Sequence, residues 1–115
     1  MAFTDEMADL MSRADLIVSR AGVGTIAEAT AVGLPMVLVP GTFGGGHQEE
    51  NAAAMVEAGA AVRLGDAELT GPSLVATINS LDGERLRAMA RASAAAGRHD
   101  AARRVLAILH EVARR

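Results

Sequence analysis

The sequence predicts an α/β fold in which a small parallel sheet is flanked by helices. Apolar runs of strand length recur at 16–19, 36–39 and 61–64, and segments of helical periodicity alternate with them. Glycine and proline stand at the joints between these segments, where such a chain has to turn. The runs are apolar at nearly every position rather than at alternate ones, which is how strands read when both faces are covered by crossover helices. About three strands are expected. So small a parallel sheet leaves an edge strand open, and open edges tend to pair with something.

Each element has its own reason. Residues 5–13 form a short helix with Met7, Leu10 and Met11 on one face. Asp15 precedes the first strand, Leu16-Ile17-Val18-Ser19. A helix over 25–32 closes at Gly33, a residue free to take the left-handed C-terminal cap, and Leu34-Pro35 leads into the strand Met36-Val37-Leu38-Val39. Pro40 and a glycine-rich loop to Gly46 precede a helix over 47–58. Glu49 and Glu50 sit in its first turn, where the helix dipole favours them, and Gly59 ends it. Ala61-Val62-Arg63-Leu64 makes the third strand. Gly71-Pro72 opens a helix whose Leu74, Val75, Ile78 and Leu81 follow helical spacing. Two further helices are expected, one over 84–96 ended by Gly97 and one over 101–113 capped by Asp100. Val105, Ile108, Leu109 and Val112 form an apolar stripe on the last.

Composition narrows the functions open to such a chain. The 115 residues suit a single domain with enough apolar content for a core. The net charge of -3 gives no electrostatic case for nucleic acid. All 11 basic side chains are Arg, which excludes a phosphate-loop lysine, a Schiff-base lysine and a lysine general base. With no Cys there is no disulfide framework and no thiolate nucleophile; a reducing cytosol is compatible. Phe3 and Phe43 are the only aromatics, too few for a base-stacking platform. No apolar run approaches the ~20 residues of a membrane-spanning helix, and no signal peptide is visible.

The chemistry concentrates behind the first strand, in Ser19-Arg20-Ala21-Gly22-Val23-Gly24-Thr25-Ile26-Ala27-Glu28. A buried strand, a glycine-bearing turn and a helix start follow one another directly. That geometry aims unpaired N–H groups and the positive end of the helix dipole at one spot, a cradle for the diphosphate of a nucleotide. Glu28 follows one helical turn later, placed to accept hydrogen bonds from a ribose diol. Thr25 and Glu28 also fit a capping box, with Thr25 as the cap and Glu28 reaching back. Gly22 to Ala27 matches the dinucleotide fingerprint G-x-G-x-x-A, which expects a carboxylate ~20 residues on, at the end of the second strand. Pro40-Gly41-Thr42 stands there instead, so NAD is disfavoured.

Three motifs taken together, R-x-G-x-x-T-x-x-E from Arg20, G-L-P from Gly33 and H-Q-x-x-N-A from His47, resemble the C-terminal, donor-binding half of family 28 glycosyltransferases. Within that family the likeness is to the enzymes of bacterial peptidoglycan synthesis, and it runs from about Phe3 to the C-terminus. The resemblance implies a Rossmann-like parallel sheet with flanking helices, about half of a GT-B C-terminal domain. Residues 1–115 would form a single donor-nucleotide-binding half-domain, with the acceptor domain absent. The implied activity is inverting transfer of N-acetylglucosamine from UDP-N-acetylglucosamine to the undecaprenyl-linked muramyl precursor, lipid I, giving lipid II. Two alternatives stay open: a nucleotide-sugar-binding subunit of a split glycosyltransferase, and a donor domain for another lipid or natural-product acceptor.

By the same resemblance, Gly22, Val23, Gly24 and Thr25 meet the diphosphate, with Arg20 beside it either neutralising charge or tied up in a structural ion pair. Glu28 takes the ribose. Phe3, Thr4 and Met7 hold the uracil, the Thr4 backbone reading the base edge. His47, Gln48 and Asn51 hold the sugar; amides both donate and accept, as sugar hydroxyls do. Some family members carry Gln at the place of His47. Spacing alone would let His47 and Glu50 share a metal, but two ligands do not make a zinc site, and neither metal nor cofactor is expected. The general base belongs to the missing domain, so no catalytic residue is assigned in this chain. The partners implied are a UDP-sugar, the N-terminal acceptor domain or a partner subunit, a lipid-linked acceptor through it, and self-association at the open edge. The implied location is cytoplasmic, peripheral on the inner face of the plasma membrane through that domain.

Overall fold

The computed structural model describes residues 15–41 and 47–113, with side chains described as far as Arg98. Expectations for the helix over 5–13, for Phe3, Thr4 and Met7, and for the stripe Val105 to Val112 lie outside the described backbone or side chains. The described elements run β1 (Ile17–Ser19), α1 (Val23–Val32), β2 (Met36–Leu38), α2 (His47–Glu57), β3 (Ala61–Arg63), a 3₁₀ turn (Asp66–Glu68), α3 (Gly71–Asn79) and α4 (Gly83–Ala113). The sheet is wholly parallel in the order β1-β2-β3. Ile17 stands opposite Met36, and Met36 opposite Ala61. Alternation in the expected order of strands and helices is therefore what the chain builds.

Strand β2 is the centre, and its alternating side chains divide the core in two. Met36 and Leu38 point to one face, where Ala29 of α1 and Ala52 of α2 pack on them. Val37 and Val39 point to the other, against Leu64, Leu81 and Met89. Both crossover helices thus cover one face, as successive same-handed βαβ units require. The other face is covered by α3 and the start of α4, through Leu74, Leu86 and Met89. That cover is incomplete over β1. Val18 shares the second face with Val37 by register and is 39% exposed, a correction to the expectation that every strand residue is shielded.

Helix ends follow the sequence closely, with two physical corrections. Gly33 and Gly59 both take the left-handed conformation, φ 74° and 84°, and end α1 and α2. Helix α1 starts two residues before Thr25, with Gly22 as its cap. Helix α3 is opened by a capping box between Thr70 and Ser73, and its Val75 faces solvent at 55% exposure. The last two expected helices are one. Gly97 does not break α4, because it is where α4 crosses α1: a Cβ there would lie 2.4 Å from the Thr30 carbonyl oxygen. Glycine at this position is a contact, not a terminator. Helix α4 thereby runs from one face of the sheet, past Gly59 and Gly33 at the strands' entry ends, onto the other.

Candidate functional site

The polar groups singled out by the sequence gather at the opposite end, where the strands deliver their C-termini, the usual ligand position in open α/β sheets. Gly22 caps α1 with φ -74° and ψ 147°, and its carbonyl accepts from the Ile26 N–H at 3.0 Å. The N–H groups of Val23, Gly24 and Thr25 therefore have no acceptor within the helix. Gly22 offers no side chain to cap them, and α1 carries no acidic residue in its first turn. The site presents a bare positive helix end.

Two glycines here are not needed by the fold. Among the described residues, a Cβ added at Gly22 or at Gly24 would meet nothing within 4 Å, and neither residue has positive φ. Alanine would fit both places and would favour the helix at Gly24. What glycine supplies instead is room for another molecule to reach the backbone.

Thr25 is the third residue of α1, so it cannot be the cap residue, and the competing capping box with Glu28 is overturned. Thr25 and Glu28 are both half-buried and three residues apart, hence neighbours on one helix flank. Arg20, half-exposed, pairs with Asp66 (Nη1 to Oδ1, 2.6 Å) and lies 3.5 Å from the Val39 carbonyl. It thereby ties the exits of β1 and β2 to the 3₁₀ turn after β3. Both sequence readings of Arg20 concerned a nearby charge, and the ion pair is present.

Helix α2 begins at His47 and turns two amides toward neighbouring backbone. Gln48 Oε1 accepts from the Gly41 N–H at 2.6 Å, and Asn51 Nδ2 donates to the Ala21 carbonyl at 2.9 Å. His47 is exposed and stands 4.0 Å from Glu50. Glu49 receives a two-pronged hydrogen bond from Arg63 on β3, at 2.6 and 2.9 Å. That guanidinium holds the Glu49 carboxyl below the usual carboxylate range, chiefly through the hydrogen bond. Among the described residues no group of three or more His, Asp or Glu side chains gathers as a metal site. A cleft of about 210 Å³ opens between α1 and α2, lined by Val23, Ile26, Asn51, Met55 and Ala96.

Asp66 and Arg63 were not among the residues singled out by sequence. The available signal was position: each sits at or just beyond the end of the third apolar run, the edge where the other site residues fall. The structure brings Arg20, Gly22 to Thr25, Gln48 and Asn51 to that edge together.

The pattern has known counterparts. The profile of the glycosyltransferase family 28 C-terminal domain matches residues 1–105. The UDP-N-acetylglucosamine–N-acetylmuramyl-(pentapeptide) pyrophosphoryl-undecaprenol N-acetylglucosamine transferase of Desulforudis audaxviator is 48% identical over 111 residues, covering 94% of this chain and 30% of that protein. Its namesake in Mycolicibacterium smegmatis is 41% identical over 114 residues, covering 97% of this chain and 30% of that one. Among solved structures, Acinetobacter baumannii MurG superposes with TM-score 0.69 at 28% identity, over 91% of this chain and 31% of its own. A glycosyltransferase of kitacinnamycin gives TM-score 0.60 at 32% identity, over 78% of this chain and 24% of its own. The chain thus spans about 30% of the length of these curated relatives. With the glycine turn, the capped helices and the sheet order accounted for, the chain belongs to the glycosyltransferase family 28 C-terminal domain family.

Proposed function

We propose that this chain is the donor-nucleotide-binding part of a transferase that moves N-acetylglucosamine from UDP-N-acetylglucosamine to lipid I, making lipid II. The observation that carries the reading is the open backbone at Gly22 and Gly24, glycines the fold does not need, ahead of a helix end with no cap and no acidic neighbour. A diphosphate is the ligand such an end suits. Thr25 and Glu28, on the same flank, would take a phosphate oxygen and the ribose diol. Arg20 would add positive charge beside them, and Phe3, Thr4 and Met7 would hold the uracil. Helix α2 would supply the sugar contacts from His47, Gln48 and Asn51.

In the reaction an acceptor hydroxyl attacks the anomeric carbon and UDP leaves. Negative charge then grows on the diphosphate, and a fixed helix N-terminus stabilises it with no reorganisation and without a metal. The general base and the acceptor site would belong to further sequence of the longer protein, or to a separately encoded partner. The outer edges of β1 and β3 are where additional strands, or a second copy, would pair. The location proposed is the cytoplasmic side of the membrane, reached through that additional domain; among the described residues no helix is long and apolar enough to cross a membrane. The relatives' names favour the muramyl acceptor, while the likeness to the kitacinnamycin enzyme supports a different acceptor on the same donor scaffold.

Calorimetric titration of the chain with UDP, UDP-N-acetylglucosamine, UDP-glucose and NAD tests the reading. Both UDP and UDP-N-acetylglucosamine are expected to bind and NAD is not. Binding of NAD with none of UDP would overturn it.

A further inference from the structure

We infer that Asn51 is a positioning residue for the diphosphate turn, acting through the Ala21 carbonyl and thereby on the nucleotide half of the donor as well as the sugar. This rests on the donor-site reading above.

Asn51 Nδ2 lies 2.9 Å from the Ala21 oxygen. A backbone carbonyl can only accept, so the amide has one permissible orientation: nitrogen toward Ala21, oxygen away. Ala21 is fully buried, and its carbonyl belongs to the peptide that enters Gly22, the cap of α1. Gly22 has no side chain, so the turn cannot brace itself from within. The brace comes from the neighbouring helix. Rotation of the Ala21–Gly22 peptide would re-aim the N–H groups of Val23 and Gly24, and the Asn51 bond opposes that rotation.

Gln48 makes the matching contact one helical turn earlier, accepting from the Gly41 N–H at 2.6 Å. A backbone N–H can only donate, so this amide orientation is also set. The first turns of α2 therefore hold the exits of β1 and β2 at once. In this arrangement Asn51 keeps an acceptor oxygen and Gln48 a donor nitrogen, so a sugar would meet opposite hydrogen-bonding characters at the two positions.

The experiment compares Asn51→Ala, Asn51→Asp and Asn51→His in UDP and UDP-N-acetylglucosamine titrations of the chain, with melting curves for each. Asn51→Asp is nearly isosteric but has lost the donor, and places an oxygen against the carbonyl; Asn51→His restores an N–H at the δ1 position. Asn51→Asp, which keeps an oxygen for the sugar, is expected to weaken both ligands by the same factor, about three- to ten-fold for one lost hydrogen bond, and Asn51→Ala to weaken UDP by that factor and UDP-N-acetylglucosamine by at least as much. Asn51→His is expected to recover most of the affinity. Loss confined to the sugar nucleotide, or UDP affinity unchanged in Asn51→Asp, would overturn the inference. If Asn51→Ala fails to fold, the Asp and His pair decides alone. Should the unsubstituted chain bind no UDP, the donor reading falls, and amide exchange at Ile26 decides the positioning role by itself. Faster exchange in Asn51→Asp, restored in Asn51→His, supports it; unchanged protection rejects it.

Discussion

Thr25 and Glu28 carry the sharpest single-residue expectations, because each offers one polar group on the flank of a helix whose end is otherwise bare. Thr25→Val and Glu28→Ala should weaken UDP and UDP-N-acetylglucosamine equally, each by about 1–3 kcal/mol for a hydrogen bond involving a charged or partly buried group. Parallel titrations of the two ligands check this, and a loss seen with only one of them would reassign the residue. Gly24→Ala separates fold from ligand: with open space around the added Cβ, thermal stability should hold or rise slightly, while UDP affinity falls by about tenfold, ~1.4 kcal/mol. Ser93 gives a stability case. Its Oγ is fully buried and has no hydrogen-bond partner among the described residues, so Ser93→Ala should be neutral or stabilising by up to about 1 kcal/mol in denaturant unfolding. Glu49 titrates below the usual carboxylate range because Arg63 favours its charged form. Its contribution to stability is therefore present above the unfolded-state value and lost as pH falls through the lowered one. An NMR titration of the carboxyl carbon should show a midpoint that rises toward the ordinary value in Arg63→Gln.

At the scale of elements the informative case is the crossing of α1 and α4. Taken as an isolated helix, α4 should gain from Gly97→Ala, since alanine is the better helix former by about 1 kcal/mol. In the folded chain the new methyl group would stand 2.4 Å from the Thr30 carbonyl oxygen. The crossing wins, because backbone cannot retreat as a flexible side chain can. Gly97→Ala should cost about 1–3 kcal/mol as the two helices are forced apart, read as a lowered midpoint in thermal unfolding. A raised midpoint would mean that the two helices approach less closely than described. The same crossing explains why a sequence reading splits α4: glycine followed within three residues by Asp100 has the form of an end followed by a cap. Local signals alone do not distinguish a helix stop from a helix contact.

For the whole molecule the question is competence. The chain corresponds to about 30% of the curated relatives' length, and positioning two substrates against each other supplies much of any transferase's acceleration. By itself it should therefore bind donor but show no transfer of N-acetylglucosamine to lipid I in a radiolabel assay. Light scattering on the same sample reports whether the sheet edges pair with a second copy. Turnover by a monomer would place both the general base and the acceptor site within these residues.

Much of the fold is legible in the sequence because its signals are local. Apolar runs such as Met36 to Val39, glycines at left-handed helix ends such as Gly33 and Gly59, and the strand–turn–helix at Gly22 each depend on neighbours a few residues away. The candidate residues are grouped by the family resemblance, and the structure brings Arg20, Gln48 and Asn51 to one edge of the sheet. What only the tertiary structure decided involves partners distant in the chain. Gly97 meets Thr30 across a helix crossing, Arg20 finds Asp66, Arg63 finds Glu49, and Asn51 reaches the Ala21 carbonyl. Val18, apolar like its neighbours in sequence, is left 39% exposed on the face it shares with Val37. The physical reason is one of range: conformational preference is carried by a residue and its near neighbours, whereas contact is a property of pairs that the chain has first to bring together.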